Sequence, residues 1–228
     1  MTFHVGFVLF PELTQLDLTG PYEVFARMPD TQVHLISESA SPARSDMGLT
    51  LVPTGTYATV PALDLVCVPG GAGIAGAIQS DATLAFLRRQ AETARYVTSV
   101  CTGALVLGAA GLLRGYRATT HWMSLDLLPL VGAIPVPERM VVDRNRMTCG
   151  GVTAGIDFAL LVAAELFSPA VAEGIQLTIE YDPAPPFQAG SPRTAPAEVV
   201  ARAVENGRAR QDARKRLLLE AARKAGLP

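Results

Sequence analysis

The chain has 228 residues, 49% hydrophobic and 18% charged, a balance that excludes disorder at a length able to bury a core without metals or disulfides. Lys and Arg number 19 against 21 Asp and Glu, a formal net charge of −2 that excludes a generally nucleic-acid-coating protein.

Residues 3–10 (FHVGFVLF) are β-branched and aromatic with almost no charge, the pattern of a central strand covered on both faces by helices. The next stretch, LTQLDLTGPYEVFARM, sets Leu13, Leu16, Gly20 and Val24 at helical spacing. Pro21 is tolerated only near a first turn, so a short turn of helix followed by a longer one is predicted. Residues 33–37 read as a second strand, 49–60 as an irregular hairpin, and 63–68 (LDLVCV) as a third, buried strand ending at the breaker PGGAG. Asp81 is predicted to cap a helix running to residue 94. Then 96–100 reads as strand, 102–113 as a small-residue helix, 117–120 as strand, 140–149 as a hairpin and 153–167 as a helix.

This alternation predicts an α/β fold with a doubly wound, mostly parallel sheet and helices on both faces, binding ligands at the carboxyl ends of strands. The five prolines of 183–196 predict a stiff linker between a domain over 1–182 and a C-terminal helix over 197–228, with a weak point at Gly207. The basic excess from Arg202 to Lys224 reads as a solvated face, with Val200, Ala203, Val204 and residues 217–219 packed on the body or on a partner subunit. An isolated basic helix without a helix-turn-helix partner gives no ground for nucleic-acid binding. No basic segment precedes the apolar start of the chain, and charge, Gly or Pro interrupts every apolar run before about 18 residues. A cytoplasmic protein with reduced thiols and no membrane attachment is therefore expected.

Three cysteines occur, Cys67, Cys101 and Cys149, too widely spaced for a CxxC zinc site. Cys101 stands where the strand YVTSV turns into the helix TGALVLGAAGLL, with Gly103 leaving room beside it, as in a nucleophile elbow. The helix N-terminus at such a turn favours thiolate, which attacks electrophilic carbon; the structural alternative is a small buried hydrophobe. Cys67, inside LVCV, reads as inert core, and Cys149 as a strand end near the site wall. Asp17 lies on the apolar stripe of its helix, where a partly buried carboxylate has a raised pKa and can carry protons near neutrality; capping the turn over 18–21 is the alternative.

The stretch Gly71-x-Gly73-x-x-Gly76 matches a dinucleotide fingerprint only weakly, because the next strand ends in Cys101 and not in an acid. Gly70 and Gly71 are better placed to turn backbone N–H groups toward Cys101 as a cradle for an anion or polar atom. His121, in ATTHW, follows the next predicted strand and would share the rim with Cys101, either as its partner or as a structural strand-end residue; Gly150 is a candidate for the site wall. His4 and His34 read as packing residues within strands.

At SVCTGALVLGAAGLLRGYRATTHW the chain resembles the ThiJ/PfpI superfamily, and the likeness extends from FVLFPELTQLDLTGPYEVF through VPGG to GGVTAGIDFALLVAAEL. Within it, the pairing of LDLTGPYEVF with CTG is most similar to the isocyanide hydratases. The resemblance implies a flavodoxin-like homodimer, without cofactor or metal, that adds water to an isocyanide (R–NC) to give an N-substituted formamide. Residue by residue it makes Cys101 the nucleophile, Asp17 the acid/base, Thr102 a hydroxyl donor beside them and Gly71 a backbone N–H of the site. Peptidase-like members carry His directly after the Cys, where this chain has Thr102, so peptidase activity is not expected. AraC-type regulators share CTGA…ATTHW but continue into a DNA-binding module of about 100 residues, for which the stretch after residue 167 is too short. The remaining expectations are a glyoxalase-like hydration of a 2-oxoaldehyde and a non-catalytic, cysteine-based sensor or ligand-binding protein.

Overall fold

The computed structural model describes residues 2–224. In chain order they form β1 (Phe3–Val8), α1 (Gln15–Phe25), β2 (Thr31–Ser37), β3 (Ala43–Arg44), β4 (Thr50–Leu51), β5 (Gly55–Thr56), β6 (Leu65–Val68), α2 (Ile74–Gln79), α3 (Asp81–Ala91) and β7 (Tyr96–Val100). There follow α4 (Gly103–Ala109), β8 (Arg117–Ala118), a 3-10 segment (Trp122–Val131), β9 (Ile134–Pro135), β10 (Met140–Asp143), β11 (Arg146–Cys149), α5 (Ala154–Leu166), α6 (Pro169–Thr178) and α7 (Ala197–Lys224). Seven strands make one sheet in the order β10-β11-β7-β6-β1-β2-β5, parallel throughout except for the β10–β11 pair. Every residue of β6, β7 and β11 is buried, as a sheet covered on both faces requires.

One helical layer joins α1, α5 and α6; the other joins α2, α3, α4 and α7. Phe25 of α1 meets Phe7 of β1 at a centroid distance of 6.0 Å and Phe158 of α5 edge-on at 5.7 Å. This aromatic contact, on top of the apolar area it buries, fixes α1 between sheet and neighbour and so fixes the height of Asp17 above the strand ends.

Several local expectations are corrected. The stretch over residues 13–28 is a single helix and not two, because Pro21, although interior, is seated against Gly155 of α5, whose missing side chain makes the room. Pro21 has no N–H to offer Asp17, four residues earlier, so the helix is locally weakened beside the site. The 49–60 hairpin does not form: β4 pairs with β3, and β5 instead extends the main sheet parallel to β2. Ser80, not Asp81, caps α3, its side chain accepting from the Thr83 N–H at 3.1 Å. β8 lies outside the main sheet, paired with β9, and packs against β10 and β11.

At the other end, α7 runs unbroken through Gly207. A Cβ there would come within 2.8 Å of the Met123 sulfur, so the glycine permits close packing on the 3-10 segment where the sequence suggests a weak point. The 183–196 stretch contains no helix or strand, and α7 beyond it rests on the 3-10 segment, α2 and α4. Among the described residues no helix is long and apolar enough to cross a membrane.

Candidate active site

Cys101 follows β7 at the carboxyl edge of the sheet and adopts φ 54°, a left-handed conformation that a side chain rarely takes and that a site must hold in place. Its N–H donates to the carbonyls of Gly150 (2.8 Å) and Cys149 (3.1 Å), and its own carbonyl accepts from the Thr120 hydroxyl at 2.8 Å. A Cβ at Gly103 would overlap the Val68 carbonyl, so only glycine lets α4 start this close to β6. These contacts hold the residue at the strand ends, with 6% of it exposed.

Asp17 is fully buried beside it. Its Oδ2 accepts from the Gly70 N–H at 2.8 Å, while Oδ1 is buried without a hydrogen-bond partner. Burial raises this carboxyl from 3.8 to about 7; the Gly70 N–H and then the Cys101 thiol pull the other way, and the charge of Asp46 adds a smaller push. A carboxyl with an unpartnered oxygen and a pKa near neutrality is equipped to pick up and release a proton.

Thr102 is also buried, and its Oγ1 accepts from the Gly71 N–H at 3.1 Å. The N–H groups of Gly70 and Gly71 therefore face the site, and each is taken by a side chain of it. Gly70 has to be glycine: a Cβ would lie 2.6 Å from the Thr102 nitrogen and 2.9 Å from Asp17 Oδ2. Gly71 sits at φ 134°, which aims its N–H at Thr102.

Burial pushes the Cys101 thiol up, and the Asp17 carboxylate pushes it further; the Thr102 N–H, the Arg214 guanidinium and the Thr102 hydroxyl pull it back. The expected helix-stabilised thiolate is corrected accordingly. α4 has only seven residues, and its N-terminal field does not offset desolvation of the sulfur. Burial thus favours the protonated thiol at rest, beside a carboxyl that titrates near neutrality.

The other candidates lie apart from this pair. His121 caps the 3-10 segment, its Nδ1 accepting from the Met123 N–H at 3.3 Å, and no hydrogen bond links it to Cys101. Burial lowers its pKa, followed by the charges of Arg214 and Arg210. Gly150 acts through its backbone, holding the Cys101 N–H while its own N–H donates to the Arg139 carbonyl at 2.8 Å. Cys67 is buried core with its thiol pushed up to about 12, chiefly by burial. The Cys149 thiol, also pushed up by burial, donates to the Ser99 carbonyl at 3.3 Å. His4 and His34 pair at 3.0 Å at the opposite, amino end of the sheet.

A cleft of about 460 Å³ is walled by Thr120, His121, Trp122, Gly150, Val152 and Pro192, so it adjoins the backbone of the elbow and takes one wall from the proline-rich stretch. A larger cleft, about 600 Å³, runs past Glu12, Tyr57 and Gly73, and neither cleft is lined by Cys101, Asp17 or Thr102.

Residues 4–165 match the DJ-1/PfpI family. The chain belongs to the DJ-1/PfpI family. It is 58% identical over 200 residues to an isonitrile hydratase of Pseudomonas putida, which covers 88% of each chain. A crystal structure of a ThiJ/PfpI family protein from Pseudomonas syringae superposes with a TM-score of 0.94 at 43% identity, covering 96% of this chain and 91% of the other. A helix-turn-helix-type transcriptional regulator of Pseudomonas aeruginosa is 30% identical over 68% of this chain, which spans 44% of the regulator.

The family match ends at residue 165, and one polar residue of the site comes from beyond it. Arg214 of α7 is 9% exposed; its Nη2 donates to the Gly71 carbonyl at 3.1 Å and its Nη1 to Ser124 Oγ at 3.4 Å. In the sequence it falls among the basic residues expected on a solvated face. The signal was the spacing: Gly207, Arg214, Leu218 and Ala222, the buried positions of α7, recur at intervals of seven, four and four and so form one stripe.

Proposed function

We propose that this protein hydrates isocyanides to N-substituted formamides through a covalent intermediate on Cys101, with Asp17 carrying the protons. The observation that carries the reading is a strained, buried cysteine paired with a buried carboxyl whose pKa stands at about 7. The 58% identity to an isonitrile hydratase supports the substrate class.

The terminal carbon of R–NC is electrophilic and, once attacked, becomes basic. Asp17 takes the proton of Cys101 as the sulfur bonds to that carbon, then returns it to the same carbon, giving the thioimidate S–CH=N–R. The carboxylate, free again, draws a proton from a water that adds to the thioimidate carbon, and that proton passes to nitrogen. The tetrahedral adduct then loses its hydroxyl proton and expels sulfur, which regains a proton from Asp17, and HC(=O)–NH–R departs. Thr102, oriented by the Gly71 N–H it accepts, has its own hydroxyl proton free to donate toward sulfur while sulfur carries charge.

The homodimer that the family resemblance implies forms part of this proposal. Met47, Leu49 and Val52 are exposed, Met47 to 88%, next to Asp46, whose Oδ2 accepts from Thr14 Oγ1 at the foot of α1. A second copy would cover this apolar group. Incubating purified protein with a simple alkyl isocyanide and following the formyl proton by NMR tests the reaction: formamide appears with wild type and not with Cys101→Ala. Inertness toward isocyanides, with a 2-oxoaldehyde converted to its 2-hydroxy acid instead, would replace the reading with the glyoxalase-like one.

A further inference from the structure

Arg214 is a buried cation with no anion of its own. Among the described residues no carboxylate is paired with it; its hydrogen bonds go to the Gly71 carbonyl and the Ser124 hydroxyl, and Ser124 in turn donates to Gln211 Oε1 at 2.9 Å. The elements beneath α7 offer nothing better: α2 and α4 contain no charged residue, and Asp126, the one acid of the 3-10 segment, is exposed. A guanidinium taken out of water without a counter-charge is strongly destabilising, so its retention here calls for a compensating negative charge at some stage of the protein's work.

The negative charge within reach is the one the sulfur acquires during the reaction, since Arg214 is tied through Gly71 to Thr102, the residue next to Cys101. Arg214 and Cys101 interact electrostatically, each in the sense that favours a thiolate beside a guanidinium. The neighbouring groups on every side do not supply an alternative anion for Arg214. Asp17 and Cys149 interact electrostatically with Cys101, Cys67 with Asp17, and His121 and Arg210 with the guanidinium. Moving the proton from Cys101 to Asp17 thus moves negative charge to the side of the pair where the cation stands. A second link is mechanical. The guanidinium holds the Gly71 carbonyl, and the N–H of that same residue holds Thr102 Oγ1, leaving the Thr102 hydroxyl proton for sulfur.

The geometry points to Arg214 as a positioning residue for the reaction, delivered by the terminal helix, that favours the thiolate form of Cys101 by its charge and keeps the Gly71–Thr102 donor pair aligned on it. This rests on reading Cys101 as the nucleophile, and it assigns α7 a part in the chemistry in addition to packing.

The test is the pH–rate profile of Cys101 alkylation by iodoacetamide in the full chain, read by intact mass and site mapping between about pH 6 and 10, where the rate tracks the thiolate fraction; it needs no isocyanide. Arg214→Gln is expected to slow alkylation about tenfold or more across this range, whereas Arg210→Gln, a change to an exposed cation on the same helix, leaves the rate within about twofold. A folded Arg214→Gln protein with the wild-type profile overturns the proposal. Should Gln prevent folding, Arg214→Met decides: it keeps an unbranched stem and loses the charge, so alkylation slowed about tenfold upholds the charge role and the wild-type rate overturns it. Formamide production with Arg214→Gln alkylated at the wild-type rate would remove Arg214 alone; slowed alkylation in a protein that makes no formamide would remove the hydratase reading alone.

Discussion

Replacing Asp17 by Asn separates stability from chemistry at the site. The native carboxyl binds its proton more tightly than the unfolded one, at about 7 against 3.8, so the stability it contributes is complete below the lower value and is lost as the pH rises through the upper one. At about 1.4 kcal/mol per pH unit, that gap sets a ceiling of about 4 kcal/mol on what wild type loses between pH 4 and pH 8. Asn keeps an oxygen for the Gly70 N–H but gives up the charge assistance of that bond, about 1 kcal/mol, and turns an amide N–H toward the position of Oδ1. The net expectation is a gain of about 1–3 kcal/mol at pH 8, a rise in Tm of about 3–10 °C for a chain of this size, and little change near pH 4. Turnover falls about a hundredfold or more, because no group remains to pass the proton from sulfur to carbon. Differential scanning fluorimetry from pH 4 to pH 8, alongside formamide production, reads both quantities. In wild type, kcat/KM should rise with pH through about 7 as Asp17 becomes able to accept the thiol proton. A wild-type Tm independent of pH across this window, or an Asp17→Asn enzyme with full activity, would refute the reasoning.

The other expectations concern the elbow, the cradle and the dimer. Cys101→Ala and Cys101→Gly should both be inactive, with the glycine variant about 1 kcal/mol the more stable of the two because φ 54° suits it; equal melting temperatures would show that the backbone there is not strained. Gly70→Ala, by driving a methyl against Thr102 and Asp17, should lower activity at least about tenfold and stability by about 1–3 kcal/mol, measured by kinetics and urea unfolding. Sedimentation velocity should give a dimer for wild type at micromolar concentration and a monomer for Met47→Asp/Val52→Asp; a wild-type monomer contradicts the expectation.

Much of this was legible in the sequence because it is local. The change from YVTSV to CTG announces a strand end, a turn and a helix start within three residues, and Asp17 betrays itself by interrupting an apolar stripe. What depends on contacts remote in sequence was not legible. Arg214 reads as one more charge on a basic helix until α7 is seen lying on a 3-10 segment some 90 residues earlier, to which Ser124 belongs. The strand at 117–118 leaves the main sheet because of its pairing with Ile134–Pro135, and Pro21 stays inside a helix because Gly155 stands opposite. The thiol of Cys101 illustrates the same division. The helix terminus that lowers its pKa is visible in the sequence; the burial that raises it is a property of the assembled fold.

The central claim is a covalent bond between Cys101 and the isocyanide carbon. Intact mass spectrometry of the wild-type protein mixed with an alkyl isocyanide and acid-quenched within a single turnover, followed by peptide mapping, measures it most directly. The account predicts a protein heavier by the full mass of the isocyanide, with the addition on Cys101, decaying as formamide is released and absent from Cys101→Ala. Formamide produced by wild type while no adduct forms on Cys101 under single-turnover conditions, or undiminished turnover by Cys101→Ala, would contradict it.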